Sequence, residues 1–266
     1  MKIVSIKGGL GNQIFQYLFY LNLKSKDDKV YLYLETKGLN QHNGWELYKW
    51  FKLGNLKFSF WVKFYVFLLK IMHKLKIIPK INETNFTSKG YLYDGYWQDL
   101  KYFENYIGGL EFKEFCLSDL NQQILKKMMS SESVSIHIRR GDYLNEKYFP
   151  IYGNICTKEY YQKAISIINE YVNKPVYFVF SNDIEWVKNN FKGVNFIYVD
   201  WNHSENSFFD LYLMKHCKHH IIANSSFSYW GAMFSQNING LNIYPKKWYN
   251  SMYSPPQIFP EKWIGI

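Results

Sequence analysis

From about residue 131 onward the chain alternates short apolar runs with stretches of helical periodicity, and this rhythm constrains the fold more than any other feature. Val134–Arg139, Val176–Phe180, Asn195–Val199, His219–Ala223 and Leu241–Tyr244 read as strands. Between them, Thr157–Glu170, Ile184–Asn190, Ser207–Cys217 and Ser228–Phe234 read as helices, the first opened by a Thr cap. Strands joined by helices predict a parallel, doubly wound sheet.

The N-terminal part carries a shorter version of the same rhythm. Residues 2–6 (KIVSI) predict a buried strand running into the turn Gly8-Gly9-Leu10-Gly11, with a helix over Asn12–Lys24 and a second strand over 29–34. Residues 36–110 are irregular and aromatic, and Tyr91–Trp97 reads as a strand entering a turn. The polar stretch around Asn121-Gln122-Gln123 suggests a boundary, giving domains 1–130 and 131–266. One large α/β unit fits the length equally well.

Hydrophobic residues make up 47 % of the 266, which supports a sizeable core and excludes disorder. The formal charge of +10 points to an anionic partner. Lys and Arg are scattered and no nucleic-acid motif occurs, so nucleic acid is not expected. Three separated cysteines argue against a disulfide framework. The chain opens directly on a strand, so the expectation is a cytoplasmic bacterial enzyme without a secretory leader. Within residues 58–78, Lys63, Lys70 and Lys74 fall at i, i+7 and i+11 of an apolar run. Three charges in one stripe disfavour a spanning helix, leaving a helix on anionic lipid or a core helix with a solvated edge.

Ligands of such sheets bind at the carboxyl ends of strands. There the sequence places Gly8–Asn12, Arg139–Asp142, Ser181–Asp183, Asp200 and Asn224–Ser226. In His137-Ile138-Arg139-Arg140-Gly141-Asp142, a guanidinium at a strand end can grip two phosphate oxygens and stabilise a departing diphosphate. Asp142 can orient either arginine, or the pair can be a plain structural ion pair. Asn224-Ser225-Ser226-Phe227-Ser228 lies between a strand and a helix, where N–H groups and hydroxyls bind anions, and where a serine is also an ordinary cap. The glycine loop lacks the third glycine of a dinucleotide fingerprint and the Lys of a kinase-type phosphate loop. His216, Cys217, His219 and His220 straddle a helix–strand break and lack a completing ligand, so no metal is expected.

The stretches GGLGNQIFQY, GYWQDLKYF, SIHIRRGDY, FSNDIEW, DLYLMKHC and ANSSFSYWGAMF, in that order from residue 8 to about 234, resemble the α-1,2-fucosyltransferases of glycosyltransferase family 11. The resemblance implies a GT-B-like α/β fold, two Rossmann-type domains facing across a cleft. The first would be acceptor-side and the second GDP-fucose-binding. It implies inverting transfer of L-fucose from GDP-β-L-fucose to a galactosyl 2-hydroxyl in bacterial surface polysaccharide synthesis, with no metal and no further cofactor. It assigns the β-phosphate to Arg139 with support from Arg140, guanosine contacts to His137 and Asp183, and the diphosphate to Ser225, Ser226 and Phe227. Gly9, Gly11 and Asn12 would form the first-domain loop, with Asn12 toward donor and acceptor. Asn182 stands where Asp is frequent in the family, and Tyr229 where Trp is frequent. The general base stays open. The acceptor is expected to be a glycan, a lipid-linked one if residues 58–78 contact the inner face of a membrane. Tyr91, Tyr93, Tyr96 and Trp97 are either its platform or aromatic core.

Overall fold

The computed structural model describes all residues except 55, 57–59 and 252–255. It divides into two units, Met1–Glu114 and Phe115–Ile266.

In the first unit, β1 (Lys2–Ile6) leads into α1 (Leu10–Lys24), followed by β2 (Val30–Leu34), α2 (Thr36–Asn40), α3 (Glu46–Trp50) and β3 (Phe51–Lys52). Then come α4 (Phe60–Lys74), β4 (Leu92–Tyr93) and β5 (Glu111–Phe112). A parallel sheet runs β2-β1-β4, and β3 pairs with β5 antiparallel. Helix α1 starts at Gly9 without a side-chain cap of its own. The Glu46 carboxylate on α3 supplies the missing acceptor, taking a hydrogen bond from Leu10 N–H, and burial raises its pKa. The expected strand over 91–97 shortens to Leu92–Tyr93, because Glu83 captures the N–H groups of Tyr96 and Trp97 and Trp97 turns to φ +60°. Trp97 is fully buried and stacks on Phe19 at 3.8 Å, and Tyr93 is fully buried too. Of the four candidate platform rings only Tyr91 and Tyr96 remain exposed; Tyr93 and Trp97 are core. The helix expected within 58–78 runs over Phe60–Lys74, and residues 58 and 59 lie outside the described residues.

The second unit opens with α5 (Asp119–Met129) and β6 (Ser133–Ile138), then α6 (Phe149–Tyr152), α7 (Lys158–Tyr171), β7 (Val176–Ser181) and α8 (Ile184–Asn190). It continues with β8 (Phe196–Val199), α9 (Phe208–Met214), β9 (His219–Ile221), α10 (Ser226–Met233), β10 (Asn242–Tyr244) and β11 (Ile264–Gly265), the last strand having no counterpart in the sequence reading. All strands are parallel, in the order β11-β10-β9-β6-β7-β8. Thr157 caps α7 as expected, accepting from Tyr160 N–H.

Side chains of the central strands leave on both faces, as strand geometry requires. Val134, Ile136, Tyr177 and Val179 pack under α7 and α8, whereas Phe178 and Phe180 pack under α5 and α9 with Ile124, Met128, Leu213 and Met214. This second layer explains why the division falls after Glu114 and not at 130. Helix α5 buries Ile124 and Met128 against the second sheet, and Asn121 exchanges hydrogen bonds of 3.0 Å with Asn202.

Candidate donor site at the switch point of the second sheet

From β6 the chain moves outward to β7 and β8, then returns across β6 to β9 and runs the other way. Strand order therefore reverses between β6 and β9, and a crevice opens outside the carboxyl ends of those two strands. The residues leaving β6 are Arg139 and Arg140; those leaving β9 lead through Asn224 to Ser225 and α10. The Tyr143 hydroxyl ties the two exits by donating to Asn224 O at 3.0 Å. A cavity of about 240 Å³ is lined there by Arg139, Arg140, Tyr143, Tyr152, Trp186 and Asn224, among others.

The two guanidinium groups are held separately. Arg139 Nη2 lies 2.7 Å from Asp142 Oδ1, and its guanidinium sits 5.4 Å from the Tyr143 ring centre. Its Nε is buried and has no hydrogen-bond partner among the described residues. Arg140 Nε donates to Asp183 Oδ2 at 3.1 Å, and its guanidinium carbon sits over Trp186, 3.3 Å from the ring centre. Each arginine thus has one carboxylate fixing its direction while about a quarter of its side chain stays exposed. A planar fork held this way loses little freedom when it takes an anion.

Backbone geometry sharpens the turn. Gly141 has φ +32°, and a Cβ there would lie 2.1 Å from Asn182 Nδ2. The same Asn182 accepts from Arg140 N–H through Oδ1 at 2.9 Å, so the side chain filling glycine's empty space also secures the arginine backbone. An Asp at 182 would keep that acceptor but bring a second carboxylate beside Asp183.

His137, 4 % exposed on β6, has no partner at Nδ1 among the described residues, and its ring lies 5.8 Å from Phe227. Burial, with the neighbouring Arg139 charge adding to it, drives its pKa down to about 3, so the ring is neutral. It can offer a hydrogen bond, and a charge at this position would repel the guanidinium. Ser225 stands at the N-terminal cap of α10 without capping it, which leaves its buried hydroxyl and the first-turn N–H groups uncommitted to one another. Ser226 and Phe227 are half-buried. Asn224, by contrast, is structural: its amide donates to Tyr152 O and Trp248 O and accepts from Cys156 Sγ.

The structure thus gathers Arg139, Arg140, Asp142, Asp183, His137 and the start of α10 about one strand-order reversal. Gly9, Gly11 and Asn12 sit in the first unit at the β1–α1 turn, the equivalent carboxyl end of its sheet. There Gln13 and Gln16 are fully buried, binding Gly8 O, Gly44 O and Leu47 N–H, and Lys7 N–H and Gly95 O. Asn12 Oδ1 accepts from Gln98 at 3.2 Å.

Two contributors to the site escaped the sequence reading, and so did one buried carboxylate elsewhere in the second unit. Trp186 is the shelf for Arg140, and Tyr143 is the tie between strand exits; in the sequence each was only one of many aromatics. Asp210 on α9 takes a hydrogen bond from Asn202 at 2.8 Å, and burial lifts its carboxyl to about 8. A carboxylate in the first turn of an apolar helix was the available signal. The histidine–cysteine group is dispersed: His220 pairs with Ser135, His216 with Tyr212 O, and Cys217 joins the apolar core. Among the described residues no group of three or more His, Cys, Asp or Glu could hold a metal ion.

The sequence model of glycosyl transferase family 11 matches residues 79–266. The chain belongs to this family. An α-1,2-colitosyltransferase of Escherichia coli is 33 % identical over 99 % of this chain and 98 % of its own length. The O-antigen biosynthesis glycosyltransferase WbnK of Escherichia coli is 28 % identical over 98 % of this chain and 99 % of that protein. Galactoside α-(1,2)-fucosyltransferase 2 of Bos taurus is 25 % identical over 51 % of this chain and 41 % of its own. Among solved structures, fucosyltransferase NodZ from Bradyrhizobium superposes with a TM-score of 0.53 at 10 % identity, covering 87 % of this chain and 92 % of that one. The family 11 chain is therefore a glycosyltransferase with a GT-B-like α/β fold built on parallel sheets.

Proposed function

We propose that this glycosyltransferase transfers L-fucose from GDP-β-L-fucose, with inversion and without a metal, to the 2-hydroxyl of a galactosyl residue in a bacterial surface glycan. The observation that carries the reading is the pair of anchored guanidinium groups at the strand-order reversal. They leave the strand beside the one that leads into the uncapped N-terminus of α10, so positive charge and N–H donors face the crevice where a diphosphate would sit. In the mechanism this supports, the acceptor oxygen attacks the anomeric carbon as the bond to the diphosphate breaks, and the electron pair departs with GDP. Arg139 stabilises that growing charge, Arg140 adds to it, and Asp142 and Asp183 hold the two forks in place. Neutral His137 suits the nucleoside side, and Ser225, Ser226 and half-buried Phe227 at the start of α10 suit the diphosphate.

A second reading is favoured by the colitosyltransferase likeness, which covers the chain from end to end. Colitose is 3-deoxy-fucose, so a donor pocket for one sugar differs from a pocket for the other by the partners of a single hydroxyl. The deciding experiment offers GDP-fucose, GDP-colitose and GDP-mannose singly and in competition with a β-galactoside panel, and reads product linkage by NMR. Transfer of fucose to the galactose 2-position supports the first reading, and preferred transfer of colitose replaces it with the second. A site built to bond the 3-hydroxyl should reject the deoxy sugar by orders of magnitude, whereas an apolar site should discriminate weakly.

A further inference from the structure

Helix α4 (Phe60–Lys74) carries two apolar faces where a helix on the outside of a domain ordinarily has one. Val62, Val66 and Leu69 are buried against Ile3 and Leu92, with Tyr31 and Tyr33 alongside, and these contacts hold the helix on the first sheet. On the opposite side Trp61, Phe64, Leu68, Ile71 and Leu75 follow at i, i+3, i+7, i+10 and i+14, with Phe67 beside them, and all are exposed. Exposure reaches 69 % at Trp61, 54 % at Phe64 and 60 % at Phe67. At 100° per residue this second stripe spans about 120° of the helix, centred well away from the buried stripe. Lys63, Lys70 and Lys74 occupy the edge between the two, and Lys76 follows beyond the helix end. Lys70 also approaches Glu35 at 3.9 Å and the Tyr33 ring, and all three lysines are exposed.

From this we infer that α4 docks the protein on an anionic lipid surface, lying in the plane of the interface. The exposed aromatic stripe enters the acyl boundary, and the lysine row meets the phosphate headgroups. The charge decides for lipid over a protein partner: a basic edge running parallel to a strip of Trp, Phe, Leu and Ile is complementary to a surface that is apolar below and anionic at its rim. Among the described residues no helix is long and apolar enough to cross a membrane, so the contact is peripheral. The inference is independent of which GDP-sugar is used, since it rests on the first unit alone.

The test is co-sedimentation of the full chain with vesicles of phosphatidylglycerol and phosphatidylethanolamine, and with phosphatidylcholine vesicles. Binding is expected on the anionic vesicles, weakening as salt is raised. Lys63→Gln with Lys74→Gln should lower the partition coefficient about five-fold per lysine, roughly 25-fold together. Trp61→Ser with Phe64→Ser should abolish binding while circular dichroism and transfer to a water-soluble acceptor stay unchanged, because both side chains are exposed. Equal binding to neutral vesicles, no binding to either, or variants that bind like the parent chain would each overturn the inference. So would a dimer of the parent chain that Trp61→Ser with Phe64→Ser converts to monomer without any vesicle binding.

Discussion

Replacing Arg139 with alanine separates catalysis from folding. The side chain is a quarter exposed and its ion pair with Asp142 reaches solvent, so in water the pair contributes under about 1 kcal/mol to stability. For a chain of this length such a loss moves the thermal midpoint by about 2–4 °C at most. Under the proposed function, its contribution to a departing diphosphate is of another order. A fixed donor facing charge that develops in the transition state is worth about 3–4 kcal/mol, or roughly 10²–10³ in rate. Arg139→Ala should therefore lose two to three decades of single-turnover transfer, read from labelled donor, while its melting curve stays close to that of the parent chain. Arg139→Lys should recover part of the loss, because it keeps the charge and gives up the fork. Asp142→Asn should lose less than Arg139→Ala, since it loosens the fork without removing it. Turnover of Arg139→Ala within tenfold of the parent chain would refute the assignment of the leaving group to this guanidinium.

Gly141→Ala forces a Cβ toward Asn182 at a positive φ, and should cost about 1–3 kcal/mol in chemical denaturation while lowering kcat/KM by displacing Arg140. Met128→Ala, at a fully buried position of α5, should destabilise by about 2–5 kcal/mol, with the second unit losing its protection from hydrogen exchange first. Burial works to raise the Asp94 carboxyl, yet its bonds to the Lys7 and Lys80 ammonium groups together hold it below the ordinary value of 3.8. A depressed folded pKa means that this stabilisation is complete above the unfolded value and is lost as pH falls through the folded one. Thermal midpoints measured from pH 6 down to pH 2 should therefore drop less steeply in Asp94→Asn than in the parent chain.

Much of the second unit could be read from its residues because the signals there are local. Buried parallel strands are continuous apolar runs, and Gly, Ser and Asn mark their exits, so all nine elements expected from Val134 to Tyr244 fall within a few residues of their expected places. The first unit was harder to read. Trp97 carries the residues of a strand but sits at φ +60° because Glu83, far from it in sequence, holds two N–H groups. The polar run at 121–123 resembles a linker, yet Asn121 is buried and bonded to Asn202. Within Gly8–Gln13, Gln13 satisfies the buried backbone groups of Gly8 and Leu47, a structural role that no local pattern signals.

The chain's own order of residues determined that its C-terminal half would be a parallel sheet, and that arginines and serines would stand at strand ends, because periodicity and turn chemistry act over a few residues. Which ends are neighbours is a property of strand order. Only the return of the chain from β8 across β6 to β9 brings Arg139 beside Asn224 and the start of α10, and only packing puts Trp186 beneath Arg140. Those contacts join residues 40 to 90 positions apart, and their energies come from burial and mutual orientation that no local pattern encodes.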